Sequence, residues 1–197
     1  MEEYRRESGI PIIRTFIALP VAGSAVEAVR AMIGEMEEAG VSAKWVEPQN
    51  MHLTLKFLGD LPRTRIQPLA DAVSHAVQGE PRFEIALRGA GAFPSPARPR
   101  VLWVGIREGA DRLVRLSRSI DESTLSSGFG PADKAFRPHL TIGRARGESA
   151  GVRAADIISR YSDAFWGTVA VDCVHVVASV LKPSGPVYTS LARIPLE

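Results

Sequence analysis

The chain alternates short apolar runs with segments of helical periodicity. IIRTFIAL, residues 12–19, predicts a strand, and the segment from about Ser24 to Ala39 predicts a helix. In that helix Val26, Val29, Ile33 and Met36 recur at helical spacing, and Gly40 is its stop. MHLTLKFLG predicts the next strand, followed by a helix from about Thr64 to Val77. RFEIALRGAGAF and RVLWVGIRE predict two strands joined into a hairpin by PSPARP. A helix from about Ala110 to Ser126 turns Leu113, Leu116, Ile120 and Leu125 inward, before the Gly/Pro stretch SSGFGPAD. FRPHLTIGR predicts a strand, Val152 to Arg160 a short helix, TVAVDCVHVVASV one long strand and PVYTSLARI a last one. No glycine fingerprint follows any strand, and the element lengths are irregular, so antiparallel pairing is expected. The fold class is α+β, with two lobes that each lay helices on one face of a sheet.

Composition narrows the functional classes. A hydrophobic content of 45% over 197 residues supports a real core, in one large domain or two small lobes. A net charge of +2 argues against a surface that tracks a nucleic-acid duplex. Arg63, Arg65, Arg98, Arg100, Arg144 and Arg146 lie in small groups near loops and strand ends. Most read as solvated surface, which leaves room for a local anionic target. MEEYRRESG mixes charges where a signal peptide needs a basic patch and then an apolar stretch. IPIIRTFIALPVAG is too short to span a bilayer and carries Arg14 in its middle, so no membrane segment is expected. The one cysteine, Cys173, excludes an internal disulfide and reads as a buried thiol, and a cytoplasmic location follows.

The chemistry concentrates in a repeated frame. NMHLTLKF (50–57) and RPHLTIGR (137–144) both place His, Leu, Thr and then Leu or Ile in a strand, and they use two of the chain's four histidines. Alternation puts His52 and Thr54 on one face with Leu53 and Leu55 on the other; His139 and Thr141 stand in the same way against Leu140 and Ile142. Strands facing each other across a cleft would present two imidazoles and two hydroxyls in approximate two-fold arrangement. In-line displacement at phosphorus needs a proton removed from the entering oxygen and another delivered to the leaving one. Two imidazoles, one neutral and one protonated, do this near neutral pH while hydroxyls donate to the non-bridging oxygens. No metal and no cofactor is required. The frames lack the third, closely spaced ligand of a zinc site. A threonine nucleophile is poorer still, because its histidine at i−2 points parallel to it. Two unrelated strand histidines with backbone partners remain the plain alternative. His75, in a helix, and His175, in a strand without a companion hydroxyl two residues on, read as structural.

The paired frames resemble those of the two-histidine (2H) phosphoesterase superfamily. RTFIALP, NMHLTLKFLGD, GAFPSPARPRVLWVGI, FRPHLTIGRAR and SVLKPSGPVYTSLARIPL also resemble, in order, stretches of the RNA 2′,3′-cyclic phosphodiesterase family, historically called 2′-5′ RNA ligases. The resemblance implies residues 1–197 as a single domain of two pseudo-symmetric lobes, with two antiparallel sheets around a central cleft. It implies metal-independent hydrolysis of RNA 2′,3′-cyclic phosphates to 2′-phosphates, and reversible 2′-5′ joining of RNA halves as a second activity. His52 would be the proton donor and His139 the acceptor, with Thr54 and Thr141 at phosphate-contacting positions. Arg144 matches an arginine often found five residues after the second histidine. Its odd offset from His139 calls for a bulge near Gly143 to turn it into the cleft. Lys56 shares the nominal face of His52 and is a weaker phosphate candidate. Phe93, Phe136 and Tyr188 are aromatics that either stack on a base or pack in the core. Expected substrates are RNA ends or small cyclic nucleotides, handled by a monomer with no membrane partner. Another cyclic or 2′-5′ phosphodiester substrate, or a non-catalytic RNA-end-binding module, would fit the same frames.

Overall fold

Why a strand at one position joins a given sheet is decided by which face it can bury, and here the apolar faces sort the strands into two sheets. The computed structural model describes residues 6–7, 9–147, 150–183 and 185–197, so most of the amino-terminal stretch weighed against a leader lies outside them. In the first sheet β2 (Ile10–Pro20) runs between β4 (His52–Pro62) and β9 (Cys173–Lys182), β10 (Gly185–Pro195) follows on the far side of β9, and the short β1 (Arg6–Glu7) pairs with the start of β2. The second sheet has the order β3 (Ala43–Trp45), β7 (His139–Ala145), β6 (Arg98–Ile106), β5 (Phe83–Ser95), β8 (Phe165–Val171). Every ladder among the described residues is antiparallel, as expected.

Among the described residues four α-helices cover the sheets, two apiece, but not in chain order. α1 (Ser24–Glu38) follows β2 of the first sheet and packs against β8 of the second, beside α4 (Ala150–Arg160). α3 (Ala110–Ser126) follows β6 of the second sheet and packs against β4 of the first, beside α2 (Ile66–Ala76). Each lobe is therefore roofed partly by the other's connection. A continuous core results, with Ile17, Leu53 and Leu55 of the first sheet in the same cluster as Leu87, Leu102 and Leu140 of the second. Burying each such side chain contributes about 1.5–3 kcal/mol. The end of α1 follows the predicted stop: Gly40 adopts φ +73°, its N–H donates to the Glu37 carbonyl, and Val41 N–H reaches the Met36 carbonyl at 2.9 Å.

The structure departs from the sequence reading in several places. TVAVDCVHVVASV is not one strand, because the ladder breaks at Asp172, leaving β8 in the second sheet and β9 in the first. The alternation of apolar residues continues through the break, so periodicity could not reveal it. β3, three residues long, is too short to give a periodic signal. Leu125 is 50% exposed, because the fully buried Thr124 takes the inward position after Leu113, Leu116 and Ile120. No helix of the described residues is long and apolar enough to cross a membrane. Cys173 is buried, and His75 is exposed on α2.

Lys56 does not share the face of His52. Leu55 has no partner on β2, so the side chain after it turns to the core, and Lys56 is 2% exposed there. Its ammonium lies 2.6 Å from the Asp121 carboxylate and donates to Thr124 Oγ1 at 2.8 Å, tying β4 to α3. Removing the anion would strand a desolvated cation, whereas removing the cation leaves a carboxylate with one-third exposure. Asp121→Ala is expected to cost about 3–5 kcal/mol in urea unfolding, and Lys56→Met, which keeps the apolar stem volume, clearly less.

Candidate active site

The two frames repeat more than four letters. From His52 to Leu58 and from His139 to Ala145 the burial rhythm is the same: half-buried, buried, half-buried, buried, buried, exposed, half-buried. Two buried residues in succession break strict alternation, and the ladders show why. Leu55 stands unpaired between Thr54, opposite Ala18, and Lys56, opposite Ile17. Ile142 stands unpaired between Thr141, opposite Trp103, and Gly143, opposite Leu102. Each strand thus carries a bulge three residues after its histidine, and the bulge moves the fifth residue back to the histidine's face. That fifth residue is Phe57 in the first frame and Arg144 in the second. The bulge expected near Gly143 falls at Ile142, and Gly143 also makes room for an indole, since a Cβ there would lie 2.6 Å from the Trp45 ring.

The histidines are held alike. His52 Nδ1 lies 2.6 Å from the Asn50 carbonyl oxygen, and His139 Nδ1 lies 2.6 Å from that of Arg137. A carbonyl only accepts, so each Nδ1 carries the proton and each Nε2 is left for the cleft. Aromatic rings brace both imidazoles. His52 lies edge-on to Tyr188 at 5.1 Å and tilted against Phe16 at 4.9 Å, and His139 is edge-on to Phe93 at 5.2 Å. Burial holds the His52 pKa below the ordinary imidazole value, against the opposing pull of the Asn50 carbonyl. Thr54 and Thr141 sit half-buried on the same faces, and neither hydroxyl has a hydrogen-bond partner among the described residues.

Contacts and charge link the two frames. β4 and β7 touch although they belong to different sheets. Burial raises the Tyr188 pKa, while the charges of Arg144 and Arg14 pull it down, so both guanidinium groups lie within electrostatic reach of the ring that braces His52. Arg14, on β2, rests over Phe57 at 4.9 Å from the ring centre, which places a cation above the first frame's counterpart of Arg144. The sequence reading missed it, although it is the one charged residue within IPIIRTFIAL.

A pocket of about 70 Å³ opens beside His52, lined among others by Phe16, Asn50, His175 and Tyr188. The hydroxyl neighbour that its own strand does not offer His175 comes from β10, with Ser190 Oγ 2.9 Å from its Nδ1. Of the three aromatics considered, Tyr188 and Phe93 stand beside the histidines, and Phe136 packs against the main core. No group of three or more His, Cys, Asp or Glu among the described residues is placed to hold a metal ion.

Two antiparallel sheets that each carry one His-x-Thr strand, in contact with each other through β4 and β7, have the architecture of a two-histidine phosphoesterase. The LigT-like phosphoesterase family matches residues 19–103 and again 104–188, one frame in each match, and the chain belongs to that family. It is 38% identical over 180 residues to the RNA 2′,3′-cyclic phosphodiesterase of Archaeoglobus fulgidus, covering 91% of this chain and 98% of the relative. The enzyme of the same name from Methanothermobacter thermautotrophicus is 34% identical over 179 residues, covering 91% and 96%. Among solved structures, TT0787 of Thermus thermophilus has a TM-score of 0.74 at 27% identity, covering 93% of this chain and 98% of that one. Apo LigT of E. coli has a TM-score of 0.74 at 25% identity, covering 94% and 98%.

The tautomer and the burial of His52 are open to direct measurement. In ¹H–¹⁵N NMR its Nδ1 should be protonated in the neutral form. Its titration midpoint should fall below the ordinary value of about 6.5 and rise when inorganic phosphate binds. A midpoint at or above the ordinary value in the free protein would contradict the desolvated setting.

Proposed function

We propose that this chain opens RNA 2′,3′-cyclic phosphate ends to 2′-phosphates by acid–base catalysis between His52 and His139. The observation that carries the reading is the matched pair of imidazoles, each fixed by a 2.6 Å bond from Nδ1 to the carbonyl two residues earlier. The relatives named for this reaction, aligned over nine-tenths of the chain, support the substrate class.

Water attacks the ring phosphorus as His139 Nε2 takes its proton; the bond from phosphorus to the 3′ oxygen breaks as His52 Nε2–H protonates that oxygen. The 2′ ester bond stays intact, so the product is a 2′-phosphate. Thr54 and Thr141 donate to the non-bridging oxygens, where charge accumulates. Arg144, and Arg14 from the other lobe, add charge-assisted attraction for the anion. The assignment of His52 as donor follows the family resemblance. Burial favours its neutral form in the free protein, and the negative charge of the bound ester is what draws a proton onto it. A 5′-hydroxyl in place of water gives a 2′-5′ linkage by the same proton transfers, and no step calls for a metal. On this reading the two pseudo-symmetric lobes act as one domain, in a cytoplasmic monomer.

Phosphorus NMR of the product from a 2′,3′-cyclic nucleotide should show ring opening with the phosphate retained on the 2′ oxygen; a 3′-phosphate product would reverse the assignment of leaving oxygen. His52→Ala and His139→Ala should each lower turnover by about 10²- to 10⁴-fold with little change in stability. A variant retaining near-full turnover would remove that residue from proton transfer. Activity should survive EDTA; loss on chelation with rescue by zinc would require a metal-based scheme.

A further inference from the structure

His52 is enclosed by strands that the ladder keeps apart. In the first sheet β2 and β9 lie between β4 and β10. Three strand spacings in a flat sheet come to about 14 Å. Yet Asn50, at the entry to β4, donates from Nδ2 to the Pro186 carbonyl of β10 at 3.2 Å. An asparagine side chain is too short to cross the flat-sheet gap, so the sheet coils until these two strands meet. The rings between them show the same closure. Phe16 of β2 lies 4.9 Å from His52 and 5.2 Å from Tyr188, and His52 and Tyr188 complete the triangle at 5.1 Å. Tyr188 follows Pro186 by two residues, so the Asn50 amide grips the stretch of β10 that carries this ring.

Asn50 therefore acts on His52 from two sides. Its main-chain carbonyl lies 2.6 Å from Nδ1, and its side chain holds the strand whose tyrosine stands edge-on to the same imidazole. The segment that presents the carbonyl is short. Pro48–Asn50 is a single 3-10 turn, closed by the Asn50 N–H on the Glu47 carbonyl at 2.8 Å, and the next carbonyl, of Met51, accepts from Val21 N–H at 3.0 Å. Those bonds tie the turn to itself and to the chain just beyond β2. The amide adds an anchor on β10, across the pocket that Asn50, His52 and Tyr188 line. The second frame is built without this device: Arg137, whose carbonyl holds His139, is exposed, and its guanidinium makes no hydrogen bond among the described residues.

From this double hold we infer that Asn50 is the positioning residue of the proton donor: hooked to Pro186, it keeps its own carbonyl on His52 Nδ1 and so leaves Nε2 turned to the cleft. The inference rests on the proposed reaction for the donor role of His52, whereas the hook itself does not. Without the hook the carbonyl moves with a three-residue turn, and the imidazole loses the bond that selects its tautomer. Nε2 then no longer meets the leaving oxygen at a fixed range, and a misplacement on the order of 1 Å lowers a rate by about 10²-fold.

The first test needs no turnover. In ¹H–¹⁵N NMR of the neutral imidazoles, Asn50→Ala and Asn50→Leu should each bring up the Nε2–H tautomer of His52 and leave His139 as it is, and Asn50→Gln, which keeps an amide donor, should restore part of the wild-type signal. A His52 tautomer unchanged in either folded variant would overturn the inference; so would a wild-type signal in Asn50→Leu alone, since bulk and not the amide would then be what matters. The second test uses adenosine 2′,3′-cyclic phosphate. Asn50→Ala should lower kcat by about 10- to 100-fold with KM little changed, and should cost nothing further when added to His52→Ala. A loss confined to KM, or a loss that multiplies with that of His52→Ala, would show Asn50 acting elsewhere. If no cyclic phosphate is opened, the proposed reaction fails while the tautomer still decides the hook.

Discussion

An unpaired residue three positions after the histidine of each motif strand is the constraint on which the site depends. A strand with strict alternation cannot keep its apolar side in the core and still return a charged residue to the histidine's face at an odd offset. Leu55 and Ile142 resolve this by dropping out of the ladder while staying buried. The same device has opposite uses in the two frames. In the second it brings Arg144 to the face of His139; in the first it sends Lys56 inward to Asp121 and leaves Phe57 outside as a support for Arg14. Two lobes with the same backbone rhythm thus reach a cation on each side by different chemistry, one directly and one through a neighbouring strand.

Rigidity follows from local bonds. Each imidazole is tied to a carbonyl only two residues back, so its tautomer is set by the segment leading into its own strand and not by the far lobe. What the lobes share is the fit between them. β4 and β7 touch, and the charge of Arg144 reaches the Tyr188 ring beside His52, so the two frames lie next to each other. The exchanged helices fix that fit, because α1 and α3 each leave one sheet and bury their apolar faces on the other.

The element types and the two frames were legible in the sequence because they rest on short-range periodicity and on a motif read residue by residue. The bulge needed for Arg144 was also legible, from parity alone. Its effect on Lys56 was not, although the same parity argument applied, because the paired carboxylate, Asp121 on α3, is distant in the chain and only the fold brings it near. The break at Asp172 stayed hidden because β8 and β9 are both apolar, and composition does not say which sheet receives a strand.

The route of the chain across Asp172 also sets an order of assembly. Every strand of the second sheet lies between residues 43 and 171, whereas β2, near the start, must wait for β9 and β10 to complete its own sheet. On the ribosome, then, the lobe bearing His139 has all its strands before the lobe bearing His52 can close. The first sheet, and with it the surroundings of His52, is complete only once β9 and β10 have joined β2.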